Sequence, residues 1–166
     1  MNINTNIFLF FILYSATVFA QKNIVKLGFI GSRGVNTGIQ YERSVSPMIS
    51  IAAQFGYATI TDLYYLESAN GIGLYLEGRY YFLKNKDLME GLHAGVYMNY
   101  LNTKSSSDFI NISETSLSGG IAGGYQWVSN SHITIDSLLG LGYMLDAEYS
   151  SEGWYPLIGI NLGYNF

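Results

Sequence analysis

The sequence predicts an all-β fold: eight antiparallel strands in up-and-down order, closed into a barrel whose outer wall meets lipid. Three observations predict it. The first is the run Trp154–Phe166, where Trp154, Pro156, Ile158, Ile160, Leu162, Tyr164 and Phe166 are large and apolar or aromatic. The residues between them, Tyr155, Leu157, Gly159, Asn161, Gly163 and Asn165, are on the whole smaller and more polar. Side chains on a strand alternate faces, so this ribbon has one greasy and one small, polar face. Aromatics at both ends of the greasy face, with aliphatics between, are the pattern of a strand crossing a bilayer. The second observation is composition: 49% hydrophobic and 16% aromatic, but only 12% charged, against roughly 25% in soluble domains. The third is that alternating segments recur eight times with turn-like or polar stretches between them, an even count that returns both termini to one side.

Each segment is justified by its own alternation. The first, about Ile24–Gly31, sets Val25, Leu27 and Phe29 against Lys26 and Gly28. The second, about Asn36–Ser44, puts Thr37, Ile39 and Tyr41 outward and Gly38, Gln40 and Glu42 inward. After a Ser44–Pro47 turn, Met48–Thr59 opposes Ile49, Ile51, Ala53, Phe55 and Tyr57 to Ser50, Ala52, Gln54 and Gly56. The fourth, Asn70–Leu83, sets Ile72, Leu74, Leu76, Tyr80 and Phe82 against Gly73, Tyr75, Glu77, Arg79 and Tyr81. Lys84–Glu90 is a charged turn. Gly91–Thr103 then carries Leu92, Ala94, Val96, Met98 and Tyr100 opposite His93, Gly95, Tyr97 and Asn99. Glu114–Val128 sets Leu117, Ile121, Tyr125 and Trp127 against small or polar residues that include Ser116, Ser118 and Gln126. Ser129–Ser131 turns into His132–Leu145, where Ile133, Ile135, Leu139, Leu141 and Tyr143 face away from Thr134, Asp136, Gly140 and Gly142. The C-terminal run is the eighth strand.

The N-terminus gives the chain an address. Ile7–Phe19 is nearly continuously apolar, too short for a membrane-spanning helix of about 20 residues but suited to a secretory signal peptide. Val18 and Ala20 offer a small-residue cleavage site, so residues 1–20 read as a cleaved signal peptide and 21–166 as the barrel domain. The first six residues contain no Lys or Arg, and the other reading is an uncleaved hydrophobic anchor.

Composition also excludes functions. All charged residues lie beyond residue 20 and sum to −4, which argues against nucleic acid, a partner that calls for a basic patch. Without Cys there is no disulfide framework or thiolate chemistry. Gly119-Gly120 and Gly123-Gly124 lack the Lys-Ser/Thr and following helix of a phosphate loop. His93 has no second ligand at metal spacing, and no cofactor is called for.

Parity places Lys26, Glu42, Glu77, Arg79 and Asp136 inside the barrel, joined by Gln40, Gln54, Gln126, His93 and Tyr81. Buried charges are expensive unless paired, and eight strands enclose a space side chains can fill. A mutually satisfied plug is the expectation, with Glu77 and Arg79 pairing to Lys26, Glu42 or Asp136. A gated pore is the alternative. His132 and Thr134 are two apart and read as sharing an inward face, with Asp136 as a conceivable orienter. Some eight-stranded outer-membrane lipases that deacylate lipopolysaccharide use a His and a Ser so spaced. Here the hydroxyl is Thr and sits on the wrong side of the membrane for that substrate.

With Phe166 on the periplasmic side, Ser44–Pro47, Lys84–Glu90 and Ser129–Ser131 are periplasmic turns. The outward loops are then near residues 33–35, 60–69, 104–113 and 146–153, and they are acidic. Asp62, Glu67, Asp108, Glu114, Asp146, Glu148 and Glu152 stand against Arg33 and Lys104. Such loops, with Tyr64, Tyr65, Tyr149 and Trp154 among them, are candidates for contact with an extracellular protein or glycan, or simply keep the surface soluble.

The terminal Leu162, Tyr164 and Phe166 resemble the C-terminal signal by which the barrel insertion machinery of Gram-negative outer membranes recognises its clients. Three internal stretches resemble small porin-like barrels of Gram-negative envelopes, similar to the outer-membrane protein A and X barrels. These are Gly38-Ile39-Gln40-Tyr41-Glu42-Arg43, Leu76-Glu77-Gly78-Arg79-Tyr80-Tyr81-Phe82 and Gly91-Leu92-His93-Ala94-Gly95-Val96-Tyr97. The resemblance implies the fold and a place among outer-membrane lipid, and transfers no catalytic residue. The expected function is a non-enzymatic, structural or surface-interacting (adhesion-like) outer-membrane barrel. A narrow small-solute channel and a lipid-A-modifying enzyme are the alternatives.

Overall fold

A computed structural model of the chain describes residues 22–32, 34–62, 67–82, 89–106, 111–147 and 153–166. The expected signal peptide, residues 1–20, lies outside them. Eight strands follow one another: β1 (Asn23–Gly31), β2 (Gly34–Ser46), β3 (Ile49–Asp62), β4 (Glu67–Tyr81), β5 (Gly91–Ser106), β6 (Asn111–Val128), β7 (Ile133–Ala147) and β8 (Trp154–Asn165). Each pairs antiparallel with its sequence neighbours, and β1 pairs with β8 to close an all-antiparallel barrel. Closure leaves no unpaired strand edge, the condition for crossing hydrocarbon with β-structure.

The strands are staggered. The paired row from Lys26 runs through Gln40, Gln54, Tyr75, Asn99, Ser118 and Met144. Met144 then donates its backbone N–H to Gly153, whereas Lys26 itself pairs with Gly163. One circuit thus climbs from position 163 to position 153 of the chain, the shear that tilts strands by roughly 35–45° in a closed barrel. Such coiling brings neighbouring backbones close at some inward positions. Gly38 and Gly56 face each other across β2 and β3, and a Cβ on either would run into the opposite carbonyl and Cα.

The polarity is inverted relative to a soluble domain. Ile39, Val96, Ile121 and Leu139 are 65–66% exposed, while Lys26, Glu42, Arg79 and Asp136 are at most 1% exposed. Around the end where the termini meet, the outer wall carries Tyr41, Tyr80, Phe82, Tyr125, Trp127, Tyr164 and Phe166. Towards the loop end it carries Tyr57, Tyr143 and Trp154, the last two in edge contact at 5.6 Å. Past this second ring the wall turns polar: Asn70 and Lys104 are exposed, and Asn102 Nδ2 donates to Thr115 Oγ1 at 3.2 Å. Aliphatic side chains fill the band between the rings, the distribution a hydrocarbon surround requires.

The interior is layered. At the terminus end Ile24, Tyr81 and Met89 form a small apolar cluster. A polar layer lies above it. Beyond that, Ile30, Tyr75, Tyr97, Ala122, Leu138 and Leu157 pack together, with Tyr75 stacked on Tyr97 at 5.6 Å and 25°. Ala58, Ile60, Ala69 and Leu101 form a further cluster towards the loops.

Two local expectations are corrected. β7 begins at Ile133, and His132 sits in the turn with φ 66°. A left-handed residue breaks the two-residue alternation, so His132 is exposed beside Tyr164 (5.8 Å) while Thr134 is buried. The pair does not share a face. β2 to β7 also extend two to three residues past their expected loop-side ends, as at Glu67 and Asp62, which pair in the β3–β4 ladder. Of the Lys84–Glu90 turn only Met89 and Glu90 are described.

Candidate functional site

The charged groups that parity sends inward meet in one layer, because each lies within a few residues of the terminus end of its strand. Lys26 is three residues into β1, Glu42 four from the end of β2, Arg79 two from the end of β4, and Asp136 three into β7. The Lys26 ammonium donates to Glu42 Oε2 (2.5 Å), Gln126 Oε1 (2.5 Å) and Asp136 Oδ2 (3.0 Å). Its three protons thereby have three acceptors. Arg79 Nη1 reaches Asp136 Oδ2 at 2.8 Å and Glu42 Oε2 at 3.1 Å, and its Nε donates to Glu77 Oε2 at 2.8 Å. Arg79 Nη2 lies 2.7 Å from Glu77 Oε2 but makes no directed hydrogen bond, so that contact is coulombic.

Further groups complete the carboxylates. Glu42 Oε1 accepts from Ser50 Oγ (2.5 Å) and Tyr81 OH (2.8 Å). Glu77 Oε2 accepts from Tyr75 OH at 3.0 Å. Asp136 Oδ2 takes Asn161 Nδ2 at 3.0 Å, and Asp136 Oδ1 lies 3.0 Å from His93 Nε2. Gln126 Nε2 donates to the carbonyl of Met89 (2.5 Å), presented by a left-handed backbone at φ 65°. All eight strands supply a group to this layer.

Parity alone points Lys26, Glu42, Glu77, Arg79 and Asp136 inward, and the structure brings all five together. Ser50, Tyr75 and Asn161 also had an inward parity in the sequence, but nothing assigned them to these carboxylates. Parity gives the face, whereas axial height depends on the register between strands. Every ion-pairing side chain in the layer is fully shielded from solvent. The arrangement can hold strands together and obstruct the lumen.

Leu162, Tyr164 and Phe166 point outward and are 58%, 54% and 62% exposed. Phe166 also exchanges two backbone hydrogen bonds with Asn23, at 2.9 and 3.1 Å, so the last residue extends the closing β8–β1 seam. The acidic side chains assigned to the outward loops lie outside the described side chains.

Known structures share this architecture. The N-terminal β-barrel domain of Pseudomonas aeruginosa OprF superposes with a TM-score of 0.59 at 14% identity, over 87% of this chain and 97% of that one. Neisserial surface protein A (NspA) gives 0.59 at 9% identity, over 88% and 96%. Ail, the attachment invasion locus protein of Yersinia pestis, in complex with the heparin analogue sucrose octasulfate, gives 0.52 at 15%, over 88% and 99%. At such identities the likeness is one of fold, and it agrees with the resemblance read from the three tyrosine- and glycine-bearing stretches. No curated protein matches the sequence. Residues 6–152, which take in β1 to β7, match the family described as "Protein of unknown function (DUF3575)", and the chain belongs to that family.

Proposed function

We propose that this chain is a non-enzymatic integral barrel of the bacterial outer membrane, exported through residues 1–20 and serving a structural or surface-interaction role. The single observation that carries the reading is the inverted polarity: an apolar outer band between two aromatic rings, around a polar, ion-paired interior. Such a surface is stable in lipid and a liability in water. The fold it shares with OprF, NspA and Ail supports the same address. The strand ends that reach past the loop-side ring would hold the outward loops clear of the membrane. Acidic as those loops are, they suit a cationic or neutral partner better than a polyanion of the kind bound to Ail.

Separation of inner and outer membranes from producing cells tests the reading. The protein should co-sediment with the outer membrane and shift in gel mobility when heated. Recovery in the soluble or inner-membrane fraction overturns it. Step-like conductance in a planar bilayer would favour the narrow-channel alternative, and altered lipid A masses the enzymatic one.

A further inference from the structure

Immediately above the ionic layer, two side-chain amides leave their oxygens without a donor. Gln54 is fully buried and Asn161 is 1% exposed. Their orientations are fixed by their nitrogens: Gln54 Nε2 donates to the Asn36 carbonyl at 3.0 Å, and Asn161 Nδ2 donates to Asp136 Oδ2 at 3.0 Å. A flip of Asn161 would set its oxygen against a carboxylate. Both oxygens therefore point where they do by constraint, and neither Gln54 Oε1 nor Asn161 Oδ1 has a hydrogen-bond partner. They converge over Gly28 on β1, at 2.1 and 2.6 Å from the position a Cβ there would take. Only glycine lets the two meet.

Two unsatisfied acceptors turned together in a buried interior carry a desolvation penalty that a shared electropositive partner removes. The neighbouring charges point the same way. Two cations, Lys26 and Arg79, face three carboxylates, Glu42, Glu77 and Asp136, which leaves one negative charge before His93 is counted. Glu77 Oε1 is also without a donor, and Glu77 lies on β4 one inward position from Tyr75, the residue paired with Gln54. The Lys26 ammonium has its three acceptors already and is not available to the amides.

We propose that Gln54 Oε1 and Asn161 Oδ1 form a site for a monovalent cation, sodium or potassium, held above the ionic layer with the excess carboxylate charge as counter-ion. Oxygen ligands suit hard cations, and amide and carbonyl oxygens replace their hydration shell. Gln40, on β2 between the strands of Lys26 and Gln54, has both amide atoms unbonded and would supply a third oxygen.

The test uses the full mature barrel refolded in a zwitterionic detergent. Urea unfolding is compared in sodium, potassium and choline chloride at equal ionic strength, which separates site binding from screening. At ten times the dissociation constant a bound cation shifts the unfolding equilibrium about tenfold. Sodium or potassium should give such a shift relative to choline, and Gln54→Met should abolish the difference whatever it does to basal stability. Gly28→Ala should do the same by pushing the oxygens apart; if it does not fold, Gln54→Met still decides. Crystals grown with rubidium should show an anomalous peak between the two oxygens. Identical unfolding in all three salts, or density for water alone with no anomalous signal, overturns the proposal.

Discussion

Glu42 accepts four hydrogen bonds, two at each oxygen, from Lys26, Arg79, Ser50 and Tyr81. A carboxylate so saturated is stable in a dry lumen only while its cations stay. Replacing Lys26 with Met keeps the length of the stem and removes the ammonium, which leaves Glu42, Asp136 and Gln126 with one donor fewer and adds one uncompensated negative charge to the layer. Loss of one partner from a buried ion pair costs about 3–5 kcal/mol. Lys26→Met should therefore lower the urea midpoint of the refolded barrel by that order. The double variant Lys26→Met, Glu42→Gln should recover part of the loss, because the stranded charge goes with it. Equal stability of Lys26→Met and the wild type would show that the ion pairs are incidental. At this scale the sequence spoke clearly about which side chains enter the lumen and not about which ones touch. His132 and Thr134 show the limit from the other side, since a left-handed turn residue cancelled the alternation that would have put them on one face.

Elements obey two different constraints, and glycines separate them. Gly38 and Gly56 sit where β2 and β3 backbones approach, whereas a Cβ on outward Gly78 would meet nothing within 4 Å. Gly38→Ala should destabilise the barrel clearly, while Gly78→Ala should be neutral or stabilising by up to roughly 1 kcal/mol, through reduced freedom of the unfolded chain. Thermal unfolding in detergent reads both, and a larger loss for Gly78→Ala would refute the assigned faces of β4. β8 carries a second prediction. Phe166 belongs to the aromatic ring at the edge of the outer wall, so at a membrane interface its deletion would remove only part of the roughly 1.5–3 kcal/mol of a fully buried large apolar side chain. Deletion should impair insertion in cells far more than refolding of purified protein into detergent, as read by heat-shifted gel mobility. Equal impairment in both settings would make Phe166 merely structural. Strand existence and facing were legible because an apolar outer wall on one side and a narrow polar lumen on the other enforce period-two alternation. Strand length was not. Above the loop-side aromatic ring no apolar face is needed, so Glu67–Ala69 and Asn111–Ser113 look like loop in the sequence while their backbones continue the ladder.

At the scale of the whole molecule, orientation is the testable property. The connections at the end opposite Asn23 and Phe166 should face the exterior. Protease added to intact cells should cut within Lys104–Ser113 and spare the Lys84–Glu90 turn; the reverse pattern would invert the barrel in its membrane. The charged layer and the apolar band are one design at this scale: an outer wall of exposed apolar side chains, and an interior whose charges satisfy one another. The absence of cysteine makes the central claim directly measurable, because a single spin label can be placed anywhere without a competing thiol. Single-cysteine variants along Ile72–Tyr81, reconstituted in lipid vesicles, should show oxygen accessibility that alternates with period two. Leu74, Leu76 and Tyr80 should be open to oxygen dissolved in the bilayer, while Tyr75, Glu77 and Tyr81 should be shielded from both oxygen and a water-soluble nickel relaxant. Strong nickel accessibility at Glu77 would mean an open, water-filled lumen. High nickel and low oxygen accessibility at Leu74 and Leu76 would mean that the apolar face does not meet lipid, and would contradict the account.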